Sequence, residues 1–407
     1  MDILNKTLYD LIQENKEIAD FLYDRQVIKT DENMLNTIGK RLTLGTALQA
    51  KKINKELFLK ELEAYLAVPE IDLTLRQVKE EDKELKVKGV LPCPVRIQIL
   101  EKVEEFRQSH DCDNVSIELQ AASMGLNWLK DSVKEARQAD DMADLFLSAG
   151  FELFFDKDLI GKFRGQEIFK DYTGISRYNS DFENDRISLR DPAGMYSVIA
   201  VVPAVFLVNE EELNGRTAPT SWEELLLPEW AGSVSIPAGD FDLFNAILLN
   251  IYQLFGEEGI KKLARSFHRS LHPAEMVLSN RKANKPAVSV MPFFFSKMAK
   301  APLRVVWPKE GAIISPIFML SKQDKKEQLQ PLVDLMAGKE IGEILSHQGR
   351  FLSTNPEVDN QLPAGSEFVW VGWDMLHHQD IGRLLAECKK SFEQNSKAGL
   401  QVKVKES

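Results

Sequence analysis

The sequence predicts an α/β fold with a mostly parallel sheet, preceded by a small all-helical domain. From residue 85 onward, short apolar strands alternate with longer amphipathic helices, a spacing that is typical of parallel sheets. Before residue 67, the apolar residues recur at helical spacing. The chain has 407 residues, which is enough for two or three domains that each bury a core.

The predicted helical domain spans residues 1–66. Thr7 and Asp10 have the spacing of a capping box, in which side chains satisfy free N–H groups at a helix start. The apolar residues that follow predict one helix near residues 8–22 and further helices near 44–48 and 54–66. Residues 67–84 mix acidic and basic side chains and are predicted to be a linker or a connecting helix.

The α/β region is predicted over residues 85–392, with a polar tail over 393–407. Hydrophobic patterning indicates strands at 85–91, 115–119, 143–148, 198–202, 204–208, 234–236, 287–290, 304–306 and 313–320. A long apolar helix is predicted over residues 241–255. No internal repeat and no low-complexity tract interrupts this pattern.

Composition and charge indicate which kinds of partner the protein can bind and in which cellular compartment it is expected. The 62 acidic residues against 51 basic ones give a net charge of −11, which argues against a nucleic-acid partner. No window approaches about 18 uninterrupted apolar residues, so no transmembrane helix is predicted. The first ten residues do not resemble a secretory signal, and three cysteines do not make a disulfide framework. These features predict a cytoplasmic protein.

Cys93 is the main local candidate for chemistry, because the sequence contains none of the common nucleotide, zinc-protease or hydrolase motifs. It lies between Pro92 and Pro94 after the first predicted strand, where open α/β sheets bind ligands. The start of the following helix would attract an anion there and lower the pKa of the thiol. Alternatively, Cys93 is a small residue that fills a tight proline turn.

Three segments resemble the ABC transporter solute-binding proteins of the iron(III), thiamine and polyamine branch, which have the type 2 periplasmic-binding fold. The most specific segment is 219–237, with the sequence PTSWEELLLPEWAGSVSIP. The others are 143–150, followed by Phe154 and Leu159, and 287–291. The resemblance covers about residues 85–392. It implies two α/β lobes that exchange strands near 200–208 and 313–320 and close on a ligand by a hinge.

The resemblance also implies where the ligand binds. The implied ligand-binding residues lie in loops at strand ends: Cys93, Arg96, Ser123, Gly125, Ser148, Gly150, Asp240, Phe241, Phe293 and Phe294. The implied ligand is a small molecule with an anionic group near helix N-termini and Arg96, or with a partly aromatic group. Iron binders of this branch have adjacent tyrosines where this chain has phenylalanines 293–295, so tyrosinate coordination of iron is not expected. No cofactor is identified.

Residues 1–66 more weakly resemble the small helical disulfide domain that accompanies hybrid-cluster and redox proteins. The resemblance rests on Thr7-Leu-Tyr-Asp-Leu11, Thr43-Leu-Gly-Thr-Ala47 and the segment 53–62. That family often carries a cysteine pair, whereas the first cysteine here is Cys93. The domain is therefore expected to dock a protein partner or to dimerise rather than to perform thiol chemistry.

The predicted function is non-catalytic binding of a small solute between two lobes. One alternative is an enzyme with Cys93 as its nucleophile, which needs a base such as the distant His272 or His347. Another is a redox-linked delivery or regulatory protein, whose ligand state controls a partner bound to residues 1–66.

Overall fold

A computed structural model describes residues 3–14, 18, 22, 27, 39–51, 55, 58–59, 85–110, 114–122, 126–238, 241–270 and 285–396. The chain divides into two compact units, Met1–Glu81 and Asp82–Ser407. The predicted linker at 67–84 and most of the predicted tail at 393–407 lie outside the described residues.

The described part of the first unit is built around two helices, α1 (Leu8–Glu14) and α2 (Leu44–Ala50). Thr7 Oγ1 donates to Asp10 Oδ2 at 2.7 Å and accepts from Asp10 N at 3.1 Å, so the predicted cap forms. One core buries apolar side chains between residues 8 and 58 of the described part: Leu8, Leu11, Ile18, Leu22, Val27, Leu44, Ala47, Leu48 and Phe58. This packing is consistent with the predicted helical domain.

The second unit alternates strands and helices, as predicted. Its strands are β1 (Leu85–Leu91), β2 (Val115–Ala121), β3 (Leu145–Ala149), β4 (Ser197–Asn209), β5 (Val234–Ile236), β6 (Phe267–Ser270), β7 (Val288–Pro292), β8 (Leu303–Val306), β9 (Ala312–Ser321), β10 (Leu352–Ser353) and β11 (Phe368–Val369). Its α-helices are α3 (Arg96–His110), α4 (Asn127–Glu135), α5 (Phe151–Phe155), α6 (Trp222–Leu225), α7 (Phe241–Ser266), α8 (Lys326–Ala337), α9 (Lys339–Glu343), α10 (Trp373–His378) and α11 (Ile381–Asn395).

The strands form one mixed sheet with two parallel groups. Its order is β2-β1-β3-β9-β4-β7-β5-β6. β1 is parallel to β2 and β3, a group we call lobe 1, and β5 is parallel to β6 and β7, which we call lobe 2. β9 extends lobe 1 by pairing with β3, and β4 extends lobe 2 by pairing with β7. The antiparallel ladder between β4 and β9 joins the lobes, so the predicted α/β fold is confirmed.

Two elements are longer than the sequence pattern indicates. The strands predicted at 198–202 and 204–208 form one strand, β4, in which Pro203 separates the residues that pair with β10 from those that pair with β7. Pro203 is paired with Ile314 of β9 on its other side, and a proline, which has no N–H, is tolerated in a strand where one neighbouring strand is missing. The helix predicted to end at residue 255 continues to Ser266 beyond a break at Gly256, whose φ of 62° suits glycine.

The segment that carries the strongest family resemblance is part of the core. Trp222, in residues 219–237, is fully buried, and its indole donates to Gly311 O at 2.9 Å. Its ring meets Phe206 of β4 edge-on, with 4.8 Å between centroids. The Glu310 carboxylate accepts from the Trp222 N–H at 3.0 Å and so satisfies a free donor at the start of α6. These residues stabilise the fold around β4.

Asp191 is a buried carboxylate that accepts hydrogen bonds from His377 Nε2 at 2.7 Å and from the N–H groups of Ala193, Met195 and Tyr196 at 3.0, 2.9 and 3.0 Å. Burial by itself raises the pKa of Asp191, but these hydrogen bonds outweigh burial and lower the pKa below its ordinary value. The ionised group therefore stabilises the fold above its unfolded pKa of about 3.9, and this stabilisation is lost as the pH falls below that value.

We expect Asp191→Asn to lower the free energy of unfolding at pH 7 and to reduce its dependence on pH below about 4. Urea unfolding at a series of pH values from neutral to acid measures both effects. A loss of the same size at every pH would contradict the assigned role of the charge.

Candidate functional site

The loops that follow the parallel strands of the two lobes come together at two places. At the first, which we call the β3–α7 contact, the N–H of Phe151 in lobe 1 donates to Asp242 Oδ1 in lobe 2 at 3.2 Å. Gly150, a predicted site residue, precedes Phe151 and has a φ of 137°. A Cβ at Gly150 would lie 3.2 Å from Leu126 Cδ1 and 3.9 Å from Asp242 Oδ1. Glycine therefore permits a close approach of the two lobes.

We expect Gly150→Ala to lower the free energy of unfolding by about 1–3 kcal/mol, because a side chain is strained at this φ and crowds Leu126. Gly165→Ala is the matched control, since Gly165 has a φ of 84° and nothing lies within 4 Å of its Cβ position. Urea unfolding of both variants separates backbone strain from crowding. A loss for Gly150→Ala no larger than for Gly165→Ala would contradict crowding at the β3–α7 contact.

The second place, which we call the β7–β1 contact, joins the segment after β7 to the segment before β10. Lys297 Nζ donates to His347 O and Gln348 O, both at 3.0 Å. Arg350 Nη1 donates to Ser296 Oγ at 2.6 Å. The end of β7 in lobe 2 is thereby held against residues 347–350.

Residues 347–350 also contact lobe 1. The π-helical turn Ile344–Gln348 packs beside the turn Cys93–Val95, which follows β1. A Cβ at Gly349 would lie 2.8 Å from Val95 Cγ1, so the two segments are in direct contact. Arg96 comes next and begins α3, and its Nε is buried without a hydrogen-bond partner among the described residues. The β7–β1 contact therefore gathers chain from both lobes.

The β7–β1 contact carries uncompensated positive charge. Within the part of the chain that the structure describes, Lys297 and Arg350 bond to carbonyl and hydroxyl oxygens and to no carboxylate. Burial and the neighbouring Arg350 lower the pKa of Lys297, and burial lowers the pKa of Arg350. The shift of Lys297 reflects burial and the second cation, and the shift of Arg350 reflects burial alone.

Phe293 and Phe294 lie at the same contact and are packed against protein. Phe293 is 7% exposed, meets Trp307 edge-on at 5.2 Å and lies 4.5 Å from the Arg350 guanidinium. This cation–π contact orients Arg350. Phe294 is half-buried and stacks on Phe351 with 6.1 Å between ring centroids. The role of Phe293 and Phe294 as ligand contacts stays a prediction.

The other predicted site residues are placed only in part. Ser148 is fully buried in β3, and its hydroxyl donates to Ala149 O at 2.6 Å. Ser123, Gly125 and Asp240 lie outside the described residues. For Cys93 and Phe241 the structure describes the backbone and not the side chain. His347 Nε2 lies 2.8 Å from Asp359 O, and His272 is outside the described residues. None of these placements supports the hypothesis of a Cys93 nucleophile.

Sequence reasoning missed Asp242, Lys297 and Arg350. Asp242 and Lys297 are within four residues of predicted positions, so attention to charged neighbours of strand ends would have found them. Arg350 lies 54 residues from its partner Ser296, and no sequence pattern links the two.

The described residues contain no group of three or more His, Cys, Asp or Glu side chains that could hold a metal ion. In the same part of the chain, no helix has both the length and the apolar character needed to cross a membrane.

Comparison with known proteins identifies similar sequences. The family described as bacterial extracellular solute-binding protein matches residues 140–379. Spermidine/putrescine-binding periplasmic protein 1 of Haemophilus influenzae is 27% identical over 158 residues, which are 35% of this chain and 44% of that protein. The chain thus spans less than half the length of this relative.

Solved structures show the same fold. The ferric binding protein from Campylobacter jejuni has a TM-score of 0.54 and 13% identity, covering 77% of this chain and 99% of its own. AfuA from Actinobacillus pleuropneumoniae, with fructose-6-phosphate bound, has a TM-score of 0.54 and 16% identity, and the match covers 76% of this chain and 98% of AfuA. The substrate binding protein of an ABC transporter from Agrobacterium tumefaciens has a TM-score of 0.53 and 12% identity, and the match covers 76% of this chain and 95% of that protein. The predicted periplasmic-binding-protein-like fold is confirmed, whereas the resemblance assigned to residues 1–66 finds no support.

The predicted cytoplasmic location is wrong. The matched family is described as extracellular, and the Haemophilus relative is described as periplasmic. The prediction relied partly on the small number of cysteines. That number does not decide the compartment, because an α/β unit of this size buries enough apolar surface to be stable without disulfides.

Proposed function

Because the chain belongs to the family of bacterial extracellular solute-binding proteins, we propose that it binds one small solute between lobes 1 and 2 and releases it chemically unchanged. Family membership supports a binding role rather than a catalytic one. We propose further that the solute is handed to an ABC transporter, since the similar Agrobacterium protein is named as the substrate binding protein of such a transporter.

The observation that carries this proposal is the connection between the lobes. β9 continues lobe 1, β4 continues lobe 2, and the two strands pair with each other between the lobes. A small change in the twist of such a ladder rotates one lobe against the other, which is how hinged binding proteins close on a ligand. The β3–α7 and β7–β1 contacts are then the places where closing lobes meet.

The ligand would lie at the carboxyl ends of the parallel strands, between these two contacts. Ligands of open α/β sheets bind at this edge, where loops and helix starts present free N–H groups. In the proposed closed state, the Phe151 N–H of lobe 1 donates to Asp242 of lobe 2, and the packing of Gly349 on Val95 joins residues 347–350 to lobe 1. The role of residues 1–66 as a docking module stays a prediction.

The test is native mass spectrometry of the full chain purified from cells that produce it, before and after denaturation. We expect one small molecule per chain to be released, and we expect the radius of gyration in small-angle X-ray scattering to fall when that molecule is added back. A chain that carries no solute, and that does not become more compact with any cell-extract fraction, would overturn the proposal. So would a solute whose mass changes during incubation with the protein.

A further inference from the structure

We propose that the solute carries an oxyanion, a phosphate or carboxylate group, which binds Lys297 and Arg350 at the β7–β1 contact. The inference rests on the proposed solute-binding function and names the chemical class of the solute. Its basis is the mismatch between the charge of these two residues and the neutral oxygens that surround them among the described residues.

The cations retain donors after their protein hydrogen bonds are formed. An ammonium has three N–H donors and a guanidinium has five. Among the described residues, Lys297 Nζ uses two of them and Arg350 uses one. The Phe293 ring under the Arg350 guanidinium fixes the plane from which its remaining N–H groups project. A planar, fixed guanidinium beside an ammonium suits the two or more acceptor oxygens of a phosphate or carboxylate.

Neither Lys297 nor Arg350 has a carboxylate partner among the described residues, in contrast to two other cations of the second unit. Lys322, which is buried, is paired with Asp144 at 2.8 Å. Arg304, which is exposed, is paired with Glu210 at 2.8 Å. Carboxylates outnumber cations by 62 to 51, yet exposed Lys297 and partly buried Arg350 lie together without one among the described residues, which leaves a place for an external anion. An oxyanion from the solute would offset the cost of holding Lys297 and Arg350 together.

Lobe 1 contributes positive potential to the same place. The Gly349–Val95 contact brings residues 347–350 beside the start of α3. This helix has 15 residues, and its N-terminus carries partial positive charge. Arg96 stands at its first position with a buried Nε that has no partner among the described residues. Lobe closure around an oxyanion would therefore place cationic groups of both lobes around one negative charge.

The same geometry disfavours a polyamine. The Haemophilus relative is described as binding spermidine and putrescine, which are cations. A cationic group at the β7–β1 contact would be repelled by Lys297 and Arg350, with no carboxylate paired to either cation within the described residues to compensate.

The test is isothermal titration calorimetry and thermal unfolding of the full chain with inorganic phosphate, citrate or spermidine, at constant ionic strength. Arg350→Gln and Lys297→Gln remove one site cation each. Arg304→Gln and Lys300→Gln are the matched controls, since each removes one positive charge from an exposed position in the chain that follows Lys297. We expect phosphate or citrate to raise the melting temperature of the wild type and both controls. We expect at least tenfold weaker binding in each site variant.

The outcomes separate this inference from the proposed function. Equal weakening in the controls, or no response to either oxyanion, overturns the oxyanion site. Binding of spermidine instead, or a solute without a phosphate or carboxylate group in the native mass spectrum, overturns the oxyanion class but leaves solute binding intact. A chain that releases no solute and never becomes more compact overturns the proposed function itself. Far-UV circular dichroism confirms that each variant is folded.

Discussion

Trp222→Ala is expected to lower the free energy of unfolding of the second unit by about 3–5 kcal/mol. The substitution empties a fully buried site and leaves the ring of Phe206 without its edge-on partner. It also leaves Gly311 O without the indole donor, which lies 2.9 Å away. Equilibrium unfolding in urea, followed by far-UV circular dichroism, measures the loss.

Trp222→Phe serves as the control, because it keeps an aromatic ring but removes the hydrogen bond to Gly311 O. Its expected loss is smaller than that of the alanine variant, since most of the apolar contact remains. A loss below about 1 kcal/mol for Trp222→Ala would mean that this part of the core does not depend on the tryptophan.

Lys322→Met is expected to lower the free energy of unfolding by about 3–5 kcal/mol, because it leaves a buried carboxylate without its counter-charge. Lys322 Nζ donates to Asp144 Oδ1 at 2.8 Å and to Met142 O at 2.9 Å. Asp144 Oδ2 accepts from the Lys86 N–H at 2.8 Å. The side chains of Lys322 and Asp144 are only 4% and 8% exposed, so water cannot replace the lost partner.

The double variant Lys322→Met/Asp144→Leu is expected to be more stable than Lys322→Met alone, because it removes both buried charges. Arg304→Met is the exposed control. Its ion pair with Glu210 is half exposed on both sides, and its loss is expected to cost less than about 1 kcal/mol. Urea unfolding of five proteins is the measurement: the wild type, Lys322→Met, Asp144→Leu, the double variant and Arg304→Met. Simple additivity of the two substitutions in the double variant would contradict the cost assigned to an unpaired buried charge.

Much of the second unit could be predicted because its strands are buried and apolar. The observed bounds of β1 and β5 match the predicted 85–91 and 234–236, and β9 extends the predicted 313–320 by one residue at each end. β1 alternates apolar residues with Lys86 and Lys88, and β9 is a mostly apolar run, and both patterns identify a strand without knowledge of its neighbours. β10, by contrast, has two residues and exists only because it pairs with β4, which no local pattern reveals.

The family could be predicted for a related reason. The segment 219–237 is recognisable because Trp222 and its neighbours have to fill a defined core around β4. Such packing constrains residue type at fixed spacing, and it does so whatever the ligand is. The same segment therefore identifies the fold and says little about the solute.

The sequence by itself determined the strand order along the chain and the α/β class, and it predicted the loops at strand ends as the place for a ligand. The tertiary structure alone decided which charges meet there. Lys297 follows β7, Arg350 precedes β10 and Arg96 follows β1, and the packing of Gly349 on Val95 brings these three segments together. Hydrophobic periodicity is a local pattern, because it depends only on residues that are close together in the sequence. A cluster of charges is assembled by folding from residues hundreds of positions apart, because electrostatic contact depends on distance in space.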